Sequence, residues 1–132
     1  MADWTGVSRT NFFRVKDGAA FEQAMSGHAV DLWKKEPEGE GTLYGLGAGS
    51  NEGYWPDWND DGDEIDFPAI VAEHLADGEI VVFVSAGYEK HRYVTGHAIA
   101  LDNTGKTVEV DIGDIYARAK ETFGIEPSPA EY

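Results

Sequence analysis

Asp57-Trp-Asn-Asp-Asp-Gly-Asp-Glu-Ile-Asp66 places six carboxylates in ten residues. A run of that density repels itself unless a cation or a basic partner faces it. Two chemistries answer that description. The first is metal binding. Asp57, Asn59 and Asp61 stand at positions 1, 3 and 5 of the opening half of an EF-hand loop, with Gly62 at position 6. Oxygens at that spacing converge on one calcium ion, and the glycine permits the sharp turn. Position 12 of such a loop needs a bidentate Glu and is Pro68 here, so a calcium site would have to borrow Asp63, Glu64 or Asp66.

The second chemistry is recognition of a basic surface. Duplex DNA carries one charge per ~3.4 Å along a strand, and successive residues of an extended chain advance by a similar ~3.3 Å. Asp60, Asp61, Asp63, Glu64 and Asp66 therefore suit a short phosphate-like row, which Glu52 and Asp57 extend. Trp55 and Trp58 supply the aromatic anchors that protein interfaces favour, and Tyr54 joins them in the same loop. These ten residues are the expected partner-binding set, with calcium on Asp57, Asn59 and Asp61 as the alternative.

Other motifs are weaker. Gly45-Leu-Gly-Ala-Gly-Ser50 has the glycines of a phosphate cradle but no following Lys, and the nearby acids would repel an anion. His97 shares strand parity with Tyr93 and Thr95 and is the centre of the enzymatic alternative. No serine stands in a Gly-x-Ser-x-Gly elbow and no histidine pair has zinc-helix spacing. The expectation is therefore a non-enzymatic protein with no assigned catalytic residue. The basic groupings are Lys90-His-Arg92 and Arg9, Arg14 and Lys16, which can either stand free or pair with the acids.

The whole chain has 132 residues, 10 Lys and Arg against 25 Asp and Glu, and a net charge of −15. The acidity is local: residues 36–66 hold ten acids and no base, whereas the other 101 residues hold 15 acids against 10 bases. A halophilic surface would spread its acids evenly. Such a charge excludes direct nucleic-acid binding, which needs a basic stripe, and disfavours anionic membrane. No apolar run approaches the ~20 residues of a membrane span, and cysteine is absent. The expected location is cytoplasmic.

The length suits a single domain over 1–132. Alternation over Arg9–Lys16 predicts a strand after a loose arm, Asp17 caps a helix through Met25, and Gly27 suits its C-terminal end. Strands follow at Ala29–Lys34 and Thr42–Leu46, then an acidic loop over 47–65, whose aromatics argue for order. Asp66 caps a second helix through Ala76. Glu79–Val84 is continuously apolar, which predicts a central strand covered on both faces. Arg92–Leu101 and Lys106–Val110 form a hairpin about Asp102-Asn-Thr-Gly105. A last helix over 112–123 should bury Ile115, Tyr116, Ala119 and Phe123 before a flexible tail at 125–132. The expected class is α+β, a mainly antiparallel sheet with helices on it in the order βαββαβββα, its first six elements matching the ferredoxin-like split βαβ.

Arg9-Thr-Asn-Phe-Phe-Arg-Val-Lys-Asp17 and Glu89-Lys-His-Arg-Tyr-Val-Thr-Gly-His-Ala98 resemble stretches of small acidic proteins carried by bacterial plasmids and phages. The likeness extends over much of the chain, its motifs are not diagnostic, and no catalytic residues come with it. In size and acidity the chain is also similar to anti-CRISPR and anti-restriction inhibitors that imitate DNA. That similarity implies a protein partner with a basic, nucleic-acid-binding surface in a host-defence complex.

Overall fold

Two aspartates open the helices that cover the sheet. Asp17 accepts a hydrogen bond from the Ala20 N–H and starts α1 (Gly18–Ser26), and Asp66 does the same for Ala69 at the start of α2 (Phe67–Glu73). Around them run β1 (Trp4–Thr10), β2 (Val30–Lys35), β3 (Leu43–Ala48), β4 (Val81–Glu89), β5 (Arg92–Leu101) and β6 (Thr107–Asp111), with α3 (Asp114–Phe123) last. The computed structural model describes residues 4–49, 53–59, 61–89 and 92–130. The class is α+β: one open six-stranded antiparallel sheet, in the order β2-β3-β1-β4-β5-β6, with three helices.

The first strand starts earlier than its alternation predicts, and Asn11 explains where it stops. Its side chain donates to the Ile80 carbonyl and accepts from the Val82 N–H at 2.8 Å, standing in for the Asn11 carbonyl, while its backbone N–H still reaches the Val82 carbonyl at 3.3 Å. Beyond it the chain leaves β4, and only Phe13 and Val15 keep single bridges, to Tyr44 and Leu75. Phe13 is fully buried there. Gly27 ends α1 with φ −85°, so the left-handed glycine conformation expected at that position is not used.

Directly paired residues of adjacent strands share a face. One face carries Thr10, Leu32, Leu46, Phe83, Ile99 and Leu101, and α1 and α2 lay Phe21, Met25, Phe67 and Val71 upon it. Edge-to-face contacts among Phe13, Phe21, Tyr44, Phe67 and Phe83 fill this single layer. Buried Thr10 is satisfied, donating to the Asn11 carbonyl and accepting from the Leu46 N–H.

Among the described residues no helix lies on the opposite face. Its β2-β3-β1 half covers itself: a Cβ on Gly47 would lie 2.6 Å from the Trp33 ring, and one on Gly45 3.1 Å from Phe12. Arg9 then sits over Trp33 and Lys35 over Phe12. The β4-β5-β6 half stays open. β4, expected to be covered on both faces, is covered on one, and Val84 is 47% exposed. Residues 79–84 are apolar on both parities, but the structure supplies a cover for one of them.

The last helix departs most from expectation. Its α-helical span and Gly124 cap (φ 74°) are present, yet none of its residues is buried, and Phe123 is 73% exposed. The physical reason lies in the edge strand before it. The inward residues of β6 are Thr107, Glu109 and Asp111, so its inward side offers α3 no apolar seat, while Val108 and Val110 lie on the outward side, which the helix leaves uncovered.

A polar cluster pins α1 to the sheet. The Tyr44 hydroxyl donates to Glu22 at 2.7 Å, and Lys34 lies 3.6 Å from the same carboxylate. The bond from Tyr44, and then Lys34, hold the Glu22 carboxyl below its ordinary range. Burial, followed by the Glu22 bond, pushes the Tyr44 phenol up to about 12. Since the folded pKa exceeds the unfolded value of ~10, this contribution to stability is complete below pH ~10 and disappears as pH rises through about 12. In a tyrosinate absorbance titration, one of the six tyrosines should ionise near the top of the range, and Tyr44→Phe should remove that component. Loss of no late component in the variant would contradict this placement.

Candidate functional site: the acidic segment and the cleft beneath it

The acidic segment is held at three points. Gly53 comes first. It is buried with φ +74°, and a Cβ there would lie 2.7 Å from the Gly6 and Val7 backbone. Only glycine combines that conformation with so close an approach. The Ser8 hydroxyl donates to the Gly53 carbonyl and shares a hydrogen bond of 2.6 Å with Ser85 on the neighbouring strand. Trp55 comes second: its ring stacks on Phe67 at 5.6 Å between centroids and meets Phe83 edge-on at 5.1 Å. Its indole N–H is buried with no partner among the described residues.

The third point is a small hairpin. Trp58 bridges Glu64, the Ile65 N–H donates to the Asp57 carbonyl, and Asn59 exchanges backbone bonds with Gly62 and Asp63. The Asn59 side-chain oxygen accepts from the N–H groups of Asp61 and Asp63, at 3.0 and 2.9 Å. Gly62, with φ +83°, makes the turn. The oxygen that the calcium alternative assigns to position 3 is thus already spent on shaping the loop. Among the described residues no three His, Asp or Glu side chains gather to hold one metal ion.

With the backbone so fixed, Asp57, Asp61, Asp63, Glu64 and Asp66 are all exposed, as are Tyr54 and Trp58. Asp66 has a second task as the cap of α2. Trp55, one of the two expected anchors, faces the core. Glu52 and Asp60 lie outside the described residues, as do Lys90 and His91. None of the described acids of this segment forms an ion pair with a described base. Arg9 lies over Trp33, and Arg14 is 3.9 Å from Glu79 and donates to the Glu40 carbonyl.

Between segment and sheet lies a cleft of about 620 Å³. Asp57, Glu64 and Asp66 stand on its rim, Trp4, Tyr54 and Trp55 form walls, and Ser8, Ser85 and Thr95 line the sheet side. A smaller hollow of about 340 Å³ runs between Tyr54, Trp58 and the His28 turn. Carboxylates beside aromatic faces and hydroxyl acceptors suit an ammonium or guanidinium group. Ser8, Ser85 and Thr95 were not legible as site residues. They meet only through strand pairing, and their one signal is a polar side chain at an inward position.

His97 occupies a lateral row with Ser8, Ser85 and Asp111 across four strands. Its Nε2 is 3.6 Å from Glu109, while Ser85 bonds Ser8. The row therefore brings the residue types of a hydrolase together without linking nucleophile to base.

The Gly53 anchor is open to test. Gly53→Ala forces a side chain into left-handed backbone against a strand, a strain of about 1–3 kcal/mol. Urea unfolding should register a loss of that order, and hydrogen exchange should rise over residues 54–65. A variant as stable and as protected as the parent would mean that the segment is not anchored there. Comparison of the chain with protein-family models, with curated proteins and with solved structures found no match in any of the three.

Proposed function

We propose that the acidic segment from Glu52 to Asp66 docks on a basic protein surface of the kind that holds nucleic acid, and that the protein acts by occupying that surface. One observation carries this reading: the segment is shaped from within by Gly53, Trp55 and Asn59, while every described carboxylate in it is exposed and none is neutralised by a described base. Exposed charge on a pre-shaped loop steers association and loses little entropy on binding. Lysine or arginine side chains of the partner fit the acid-rimmed cleft, and Tyr54 and Trp58 offer aromatic contact beside it.

On this reading the protein is a non-enzymatic inhibitor that imitates DNA, and a cytoplasmic host-defence nuclease or CRISPR complex is the target class that its size and acidity favour. Among the described residues no helix is long and apolar enough to cross a membrane. The strand order β2-β3-β1-β4 with its two helical crossovers supports a ferredoxin-like reading of the first part of the chain.

Replacing Asp57, Asp61, Asp63 and Glu64 by their amides keeps shape nearly constant and moves the charge by +4. Folding stability should stay within about 0.5 kcal/mol. A partner captured at low salt should be displaced by duplex DNA, and its association rate with the amide variant should fall at least tenfold. A captured partner that duplex DNA does not displace, or that binds the amide variant equally well, would refute the mimicry.

A further inference from the structure

The open half of the outer sheet face has properties that the acidic segment does not explain. Val84, Ala98, Val108 and Val110 lie side by side across β4, β5 and β6, and Ile112 continues the row over Gly96. Val108 is 68% exposed. No outward residue over 82–86, 94–100 or 108–112 is ionisable. The neighbouring helix α3 adds exposed Ile115 and Phe123.

The surface of the whole chain measures how much is left uncovered. A compact monomer of 14.4 kDa has an accessible surface of about 6,800 Å² by the usual size scaling. This chain has 8873 Å². The excess, about 2,000 Å², is spread over this face, α3 and the extended residues after it, and it exceeds the ~800 Å² that each partner buries in a standard protein–protein interface.

We infer that the occupant of this face is a second copy of the chain, stacked outer face to outer face about a two-fold axis, with the apolar stripe of α3 closing on the partner. A two-fold interface must be self-complementary, and an apolar, uncharged, flat surface meets that condition. Ala98 and Ala100 leave room for a facing sheet at ~10 Å. Charge selects the same face. Two chains of −15 repel over most of their surfaces, and this half-sheet is where they can meet without opposing carboxylates. The cleft and acidic segment lie on the inward side of the sheet, so the dimer leaves both acidic surfaces exposed.

Sedimentation of the full chain at about 100 µM, a concentration that populates dimers of micromolar affinity, tests this. The expected mass is twice 14.4 kDa. Val84→Glu/Val110→Glu and, separately, Ile115→Glu/Phe123→Glu should each weaken association at least tenfold with unchanged circular dichroism, because all four side chains are exposed in the single chain. Dimerisation should tighten as salt rises from about 50 to about 500 mM, because screening relieves like-charge repulsion. That sign is opposite to the one for docking on a basic partner, so the two readings fail separately. A wild-type mass of 14.4 kDa at both salt levels would overturn the dimer, as would either double variant associating like the parent. If loss of fold accompanies a double variant, Val108→Lys alone serves, with the same expected weakening.

Discussion

Every helix that reaches the core of this protein reaches it from one side of a six-stranded sheet. That constraint organises the rest. The covered side carries Phe13, Phe21, Phe67, Phe83, Leu46 and Val71, and its packing is continuous from α1 through β1 to α2. The uncovered side needs another solution, and the two halves of the sheet solve it differently. On β2, β3 and β1, glycines without side chains are roofed by Trp33 and Phe12, which in turn carry Arg9 and Lys35. On β4, β5 and β6, outward valines alternate with alanine and glycine. Hydrophobic burial falls off towards β6, whose inward residues are polar and whose outward valines α3 leaves uncovered.

The acidic segment depends on the same asymmetry. It runs along the covered side, beyond the reach of the helices, where the inward residues of β1, β4 and β5 turn from Thr10 and Phe83 to Ser8, Ser85 and Thr95. Trp55 joins the segment to the hydrophobic core, and the serine pair joins Gly53 to the sheet. Attachment by one aromatic ring and one glycine leaves the carboxylates without structural duties, Asp66 excepted. Self-repulsion within the segment is tolerable because all its described acids face water, where screening keeps the cost between like charges small.

Local sequence signals mapped well onto local structure. Asp17 and Asp66 cap helices, Gly105 (φ 89°) closes the hairpin whose Asp102 accepts from Thr104 and Lys106, and Phe13 and Phe21 enter the core. The Thr104 hydroxyl bond holds the Asp102 carboxyl low, as the compact turn requires. What periodicity could not express is which apolar face receives a cover. The stripe of α3 has the spacing of a docked helix, and residues 79–84 have the composition of a strand buried on both sides. Cover is a property of neighbours brought by topology, and β6 brings Glu109 and Asp111. The exposed acids of the candidate site were legible from charge density alone. Its serine floor was not, because residues 8 and 85 become adjacent only when strands far apart in sequence pair.

That last pairing has a temporal side. Thr10 is paired with Phe83 and Trp4 with Glu89, so the first strand made is among the last to find a neighbour on its β4 edge. At translation speeds of about 5–20 residues per second, the 73 residues between Thr10 and Phe83 take roughly 4–15 s to emerge. Throughout that interval the edge of β1 that carries Val7 towards β4 has no partner, although β3 on its other edge is made sooner. The strands β4, β5 and β6, joined by short hairpins, can assemble as soon as they are made. Synthesis therefore leaves the β4 edge of β1 to be captured by a meander completed seconds later.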